Sequence, residues 1–143
     1  MQGQVYKSTG SWYFVKVGEE FYNCKVKGKI RLQGLKTTNP VAVGDLVEIE
    51  LEKKGDETVG MIKTIHERKN YIIRKSVKLS KQIQILATNI DQVFFMITLN
   101  NPPTSTAFID RFLVAAEAYD IPVKLLFNKL DSYNTDDFAE MKF

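Results

Sequence analysis

The sequence predicts an α+β chain in two parts, a small closed β-barrel followed by the opening of a parallel α/β sheet. Three observations carry this. Up to about residue 66, apolar and polar residues alternate with a period of two between turn residues. From Ile90 onward the alternation gives way to continuous apolar runs separated by a helical pattern. Charge divides the chain in a similar way: residues 1–81 hold 16 Lys and Arg against 9 Asp and Glu, a net of +7, whereas residues 82–143 hold 4 against 8, a net of −4. A basic first part points to a polyanionic partner.

Composition sets the outer limits. With 143 residues, 44% hydrophobic and 26% charged, the chain has enough apolar side chains to build a core, which excludes disorder as its dominant state. No apolar run approaches the roughly 20 residues that span a bilayer, so no membrane partner is expected. The start Met1-Gln2-Gly3-Gln4 lacks the basic and apolar regions of a secretory signal. One cysteine, Cys24, can form neither an internal disulfide nor a cysteine-based zinc site, and a reducing cytoplasm is the expected compartment.

The barrel strands follow in order. Val5 to Lys7, Trp12 to Val17, Cys24 to Leu32, Asp45 to Glu52 and Thr58 to His66 are the expected strands, punctuated by Gly10, Gly18, Gly34 and Asn39-Pro40. In the third, Cys24, Val26, Gly28, Ile30 and Leu32 share one face, and Lys25, Lys27, Lys29 and Arg31 form a cationic ridge on the other. In the fourth, Val47, Ile49 and Leu51 oppose Glu48, Glu50 and Glu52. Five short strands are too few for a sandwich and suit an OB or SH3-like barrel. Such a barrel can bind nucleic acid, with bases stacking on aromatic rings and cations neutralising phosphate. Trp12, Tyr13, Phe14, Phe21 and Tyr22 stand close to the ridge in sequence, although alternation allows only one or two of Trp12, Tyr13 and Phe14 to face solvent.

Glu67 to Asn89 is rich in Lys and Arg, including Arg68, Lys69, Arg74, Lys75, Lys78 and Lys81, without sustained apolar periodicity. It reads as a basic connector lying on a surface, with a strand over Gln82 to Ala87 and with Arg68 and Lys69 offering further phosphate contacts. The expected division is therefore a barrel over 1–67, a connector over 68–88 and an α/β part over 89–143.

In that last part, the apolar run through Asp91–Thr98 suits a buried parallel strand. Asn100-Asn101-Pro102-Pro103 breaks the chain, and Thr104, Ser105 or Thr106 can cap a helix to about Tyr119 with Phe108, Ile109, Phe112, Leu113 and Ala116 on one stripe. Val123 to Phe127 is a second buried strand. Strand, helix and strand with short connections make a βαβ crossover. Ligands in such sheets sit beyond the carboxyl ends of the strands, where Asn128-Lys129-Leu130-Asp131 falls.

N-K-x-D is the guanine-specificity signature of GTPases, and its chemistry is explicit. Guanine presents N1–H and N2–H as adjacent donors, and the Asp131 carboxylate can accept both, each bond contributing roughly 1.5–3 kcal/mol. Adenine lacks the 2-amino group and sets a lone pair against the carboxylate. The Asn128 amide can reach the O6/N7 edge and tether neighbouring loops, while the Lys129 stem can pack over the base with its ammonium near the ribose. A GTPase also needs a phosphate cradle, G-x-x-x-x-G-K-[ST], and usually D-x-x-G; neither occurs in these 143 residues. Either the motif is accidental, or the GTPase is circularly permuted and its cradle follows Phe143.

The order of motifs bears on that choice. Gly3-x-Val5, Tyr22-x-Cys24-Lys25-Val26-Lys27-Gly28-Lys29, Val41-Ala42-Val43-Gly44-Asp45-x-Val47, Arg68-Lys69-Asn70, Ala87 to Val93, Ile109 to Glu117 and Asn128-Lys129-x-Asp131 resemble the N-terminal part of the ribosome small-subunit-dependent GTPase A (RsgA) family over nearly the whole chain. The resemblance implies an OB domain that contacts 16S ribosomal RNA and a permuted P-loop GTPase domain in which N-K-x-D precedes the cradle. It also implies a C-terminal zinc domain, whose ligands are not in this sequence. GTP or GDP with Mg2+ and the 30S subunit, in whose late maturation the family acts, are the implied ligand and partner. Family members often carry Arg in place of Lys25 and Lys27, and Leu in place of Ser132. Without the cradle, the 143 residues alone are expected not to hydrolyse GTP.

The remaining chemistry is weaker. His66 has no second base beside it and reads as a strand-end residue, Cys24 as core, Asp136-Asp137 with Glu140 as a helix start, and Asp110 and Arg111 as surface polar contacts. Two confident strands in 89–143 cannot close a doubly wound sheet, so open edges invite self-association. The rival reading is a non-enzymatic RNA-binding barrel with a packing α/β extension.

Overall fold

The computed structural model describes residues 1–28, 39–75 and 83–133. It divides into two compact units, Met1–Ile90 and Asp91–Phe143. In the first, β1 (Gln2–Ser8), β2 (Tyr13–Val17), β3 (Glu20–Val26), β4 (Leu46–Lys54) and β5 (Glu57–Ile65) close into a barrel in the order β1-β2-β3-β5-β4. Neighbours are antiparallel except β3 and β5, and β1 meets β4 through Gln2↔Glu48 to Gln4↔Leu46. This is the five-stranded OB-type barrel that the alternation predicts. Its interior is filled by Val5, Tyr13, Val15, Cys24, Val47, Ile49 and Ile62, the inward positions of the strands, together with Val41 from the loop before β4. Burial pushes the Cys24 thiol up to about 11. Where β3 and β5 run parallel, Gly60 pairs with Cys24, and a Cβ there would lie 2.3 Å from Cys24 Sγ; only glycine lets the two strands approach.

Two strand expectations need correction. The third strand starts at Glu20 rather than Cys24 and ends at Val26, because Gly28 takes φ +70°, which extended backbone cannot continue through. Ile30, Leu32 and Gly34, with the ridge residues Lys29 and Arg31, lie outside the described residues. Leu51, expected inside, is exposed near the β4–β5 turn.

In the second unit, β8 (Val93–Ile97) and β9 (Val123–Phe127) pair in parallel, in register from Val93↔Val123 to Ile97↔Phe127, with α1 (Thr106–Glu117) between them in sequence. Ser105 caps the helix, its Oγ accepting from the Phe108 amide at 3.2 Å. Ile109 and Ala116 are buried, and Phe112 stacks on Phe95 at 4.3 Å between centroids. Phe108, placed by periodicity on the buried stripe, touches Phe95 yet stays largely exposed in the first turn.

Between barrel and second unit, the segment read as a connector holds a second strand besides the one expected: β6 (Tyr71–Lys75) pairs antiparallel with β7 (Ile83–Thr88). Lys78, Lys81 and Gln82 lie outside the described residues. The hairpin is joined to the barrel around Asp45, which is fully buried. Its carboxylate accepts from Arg68 Nε at 2.7 Å and Nη2 at 2.6 Å, from the Ala42 amide at 2.8 Å and from Thr88 Oγ1 at 2.7 Å. Arg68 Nη2 also donates to the Pro40 carbonyl, and the Thr88 amide donates to the Val43 carbonyl. Gly44 sits at φ +96° with the Thr88 carbonyl 2.0 Å from where a Cβ would be, so no other residue fits.

Arg68→Ala leaves a buried carboxylate without its cation, and is expected to destabilise the first unit by about 3–5 kcal/mol. Urea unfolding followed by fluorescence of Trp12, the single tryptophan, measures it. A loss below about 1 kcal/mol would show that the pair is not what holds this junction.

Candidate functional site

The carboxyl ends of β8 and β9 lie side by side because the strands are parallel and in register. The Asn128 amide donates to the Ile97 carbonyl at 2.9 Å, continuing the ladder one step past β9. Lys129 then turns into the left-handed region (φ 58°, ψ 47°), and Leu130–Ser132 form a single 3₁₀ turn. That reversal leaves the Asn128, Lys129 and Asp131 side chains exposed at one sheet end. The Lys129 ammonium donates to the Asn101 carbonyl at 2.5 Å, from the loop after β8; the sequence reading had set it near a ribose.

Sequence reasoning missed the group that braces this loop. The Tyr133 hydroxyl accepts from the Leu99 amide at 2.9 Å and donates to the Asn128 carbonyl, joining the ends of both strands. Thr104 Oγ1 accepts from the Thr98 amide at 3.1 Å and closes the loop leading to α1. No local pattern announces either contact, since each depends on the parallel pairing.

The first unit presents a different surface. Outward positions of β1, β2 and β3 carry Tyr6, Lys7, Phe14, Lys16, Phe21, Asn23 and Lys25. Phe14 and Phe21 stack at 4.8 Å with planes 7° apart, and Tyr6 meets Phe21 edge-on at 5.6 Å. Lys25 Nζ lies 4.4 Å from the centre of the Trp12 ring. Trp12 and Asn23 line an open cavity of about 520 Å3 together with Glu57, Thr58 and Val59. Of the adjacent aromatics, Tyr13 is core while Trp12 and Phe14 are exposed.

Of the ridge, Lys25 and Lys27 are described, and Lys27 is exposed but paired with Glu52 at 3.5 Å. Arg68 is withdrawn from the phosphate contacts: its guanidinium is buried against Asp45 and unavailable to an external anion. The Lys69 amide donates to Asn89 Oδ1 at 2.9 Å, and its residue is exposed. The β4 acids form a separate surface. His66 Nε2 lies 3.0 Å from Glu48 Oε1, and this hydrogen bond holds the Glu48 carboxyl below its usual range. Lys63 donates to Glu50 at 2.8 Å with the same effect on Glu50.

What these residues can hold is limited. Asp131 is exposed at a parallel-strand end, and the G-x-x-x-x-G-K-[ST] pattern of a phosphate cradle does not occur in these 143 residues. Among the described residues no group of three His, Cys, Asp or Glu is placed to hold a metal. Nor is any helix there long and apolar enough to cross a membrane.

An OB-type barrel followed by a β-α-β unit ending in N-K-x-D defines the class, an OB-type barrel joined to the opening of a GTPase-type α/β domain. Known proteins narrow it. The family described as RsgA N-terminal domain matches residues 2–62, and that described as RsgA GTPase matches residues 65–142. The chain belongs to the RsgA family. It is 65% identical, over its whole length, to the small ribosomal subunit biogenesis GTPase RsgA of Christiangramia forsetii, and 62% identical over 94% of its length to that of Flavobacterium johnsoniae. It spans 46% and 42% of those two proteins, less than half of each. Among solved structures, it is similar to YjeQ from Thermotoga maritima (TM-score 0.67, 33% identity, 97% of this chain and 45% of that one). It is also similar to YloQ, described as a circularly permuted GTPase (TM-score 0.58, 27% identity, 97% and 44%).

Proposed function

We propose that the chain supplies the RNA-docking barrel and the guanine-reading loop of a GTPase that acts in late maturation of the 30S subunit, in the cytoplasm. Residues 1–67 serve as the barrel that meets 16S ribosomal RNA, 68–88 as the basic segment beside it, and 89–143 as the start of a circularly permuted GTPase domain. The observation that carries the reading is N-K-x-D placed on the turn directly after β9, beside the end of a parallel neighbour. Family membership and the RsgA relatives' printed name support the GTPase class and the small-subunit biogenesis role.

In this reading the Asp131 carboxylate accepts guanine N1–H and N2–H, the Asn128 amide meets the O6/N7 edge, and the Lys129 stem covers the base while Asn101 steadies its ammonium. Tyr133 holds the loop so that these groups need no rearrangement when the base arrives. In this reading the nucleotide's phosphates and Mg2+ are held by a cradle outside these residues, and a zinc domain belongs to the longer protein as well. The face of β8–β9 opposite α1 exposes Phe94, Met96 and Leu126, as fits a sheet that is covered on both sides in the larger domain. RNA contacts are assigned to Lys25, Lys27 and Lys69, with Lys29 and Arg31 on sequence grounds.

In a full-length family protein carrying this sequence, Asp131→Asn is expected to shift preference from GTP toward xanthosine triphosphate, because the amide donates where xanthine offers a 2-oxo acceptor. Competition binding of the two nucleotides reads the shift. Unchanged preference removes Asp131 from the base-reading role. Self-association of the chain through the open edges of β8 and β9 belongs to the same proposal. Sedimentation velocity is expected to show dimers at high concentration, and a strict monomer contradicts it.

A further inference from the structure

The outward face of β1, β2 and β3 has a composition that the barrel fold does not require. Tyr6, Phe14 and Phe21 remain 52%, 37% and 44% exposed, and three neighbouring aromatic rings left in water mark a surface that something covers. The rings are ordered rather than scattered. Phe14 and Phe21 are already stacked nearly coplanar, and Tyr6 is displaced onto them by the β-bulge between Val5 and Lys7. Lys16 Nζ lies 6.0 Å from the Tyr6 ring centre and 5.8 Å from that of Phe21, with Lys7 paired across from Phe14.

Charge settles the kind of partner. Lys7, Lys16 and Lys25 are the charged outward groups of this face, and the single acid on the three strands, Glu20, pairs with Val17 on the opposite side. The carboxylates Glu48, Glu50 and Glu52 stand instead on β4. A planar apolar stack framed by cations fits nucleobases and phosphates, and the one carboxylate lining the adjoining Trp12 cavity, Glu57, can accept from a base's exocyclic amino group. Register continues the surface, because Asn23 pairs with Phe14 and lines the cavity beneath Trp12.

We propose that this face is a stacking surface for an unpaired stretch of RNA, with Tyr6, Phe14 and Phe21 as the platform and Lys7, Lys16 and Lys25 holding the flanking phosphates. The inference rests on the RNA-docking reading and sharpens it: the barrel takes bases that are out of a helix, not the backbone of a duplex. One base extends the Phe14–Phe21 stack, and a neighbouring base enters the Trp12 cavity, where Asn23 offers an amide to its edge.

The test uses the 143-residue chain and two labelled probes, an oligoadenylate of about ten nucleotides and the same strand annealed to its complement, with anisotropy read over a salt series. Phe14→Leu with Phe21→Leu, and separately Tyr6→Leu, are expected to weaken single-strand binding about five-fold or more for each ring removed. Duplex affinity and the salt dependence of the remaining binding should stay the same, while Phe14→Tyr keeps single-strand affinity. Trp12 fluorescence on heating checks that each variant is folded, and the single Tyr6→Leu change on an exposed bulge stands if the double variant is not. Equal losses on both probes, or no loss on either, overturn the platform but leave RNA docking intact; a surface for a protein partner would give the latter result. A wild-type chain that binds neither probe overturns the RNA-docking reading and the platform with it.

Discussion

The buried carboxylate of Asp45 is the constraint on which the first unit depends. It leaves water entirely, and four donors from three separate places in the sequence replace its hydration: Ala42, two nitrogens of Arg68, and Thr88. A buried carboxylate is tolerable only when paired and hydrogen-bonded. The chain must therefore bring the start of β4, the segment after β5 and the end of β7 to one point. The backbone records the same demand. Gly44 adopts a left-handed conformation against the Thr88 carbonyl, and Asn70 closes the far side by donating to the Ile90 carbonyl and accepting from the Ile90 amide. The residues read as a connector are thus fastened to the barrel, and Arg68 is spent on structure rather than on an external anion.

With that junction fixed, the barrel has two unlike sides. On β4 Glu50 and Glu52 are paired locally with Lys63 and Lys27, and Glu48 is hydrogen-bonded to His66. Such exposed pairs add little stability, but they keep the acidic side from presenting bare charge. On β1 to β3, cations alternate with exposed rings. The separation of the two along one small barrel gives an approaching polyanion one favourable direction. The second unit follows a separate logic, in which parallel pairing sets two strand ends side by side and the Lys129 turn displays the N-K-x-D side chains there.

Much of this was legible in the sequence, and the parts that were not have physical reasons. Alternation placed Cys24, Val47 and Ile49 inside because a half-buried strand admits no other period. The helix was readable to within a few residues: its cap, Ser105, is one of three candidates, and it ends at Glu117 rather than near Tyr119. β6 was hidden because Tyr71-Ile72-Ile73 is too short to show a period and Arg74-Lys75 masks it. The end of β3 was overrun because alternation continues through Gly28, where the backbone does not. Arg68 was misread because its role depends on Asp45, 23 residues away, and a basic neighbourhood looks the same from sequence whether its cations are free or buried. The N-K-x-D turn was legible as a local motif, whereas its Tyr133 brace joins two strand ends that only the fold brings together.

The central claim is that one chain carries two recognition surfaces, an RNA face on β1–β3 and a guanine-reading turn after β9. Amide chemical-shift mapping of the 15N-labelled chain, titrated first with single-stranded RNA and then with GDP, tests it most directly. RNA is expected to move the amides of Tyr6, Phe14, Lys16, Phe21 and Lys25 and to spare β4, and GDP to move those of Leu99, Asn101 and Asn128 to Asp131. RNA shifts concentrated on Glu48 to Glu52, or GDP shifts absent from the Asn128–Asp131 turn at saturating nucleotide, would contradict it.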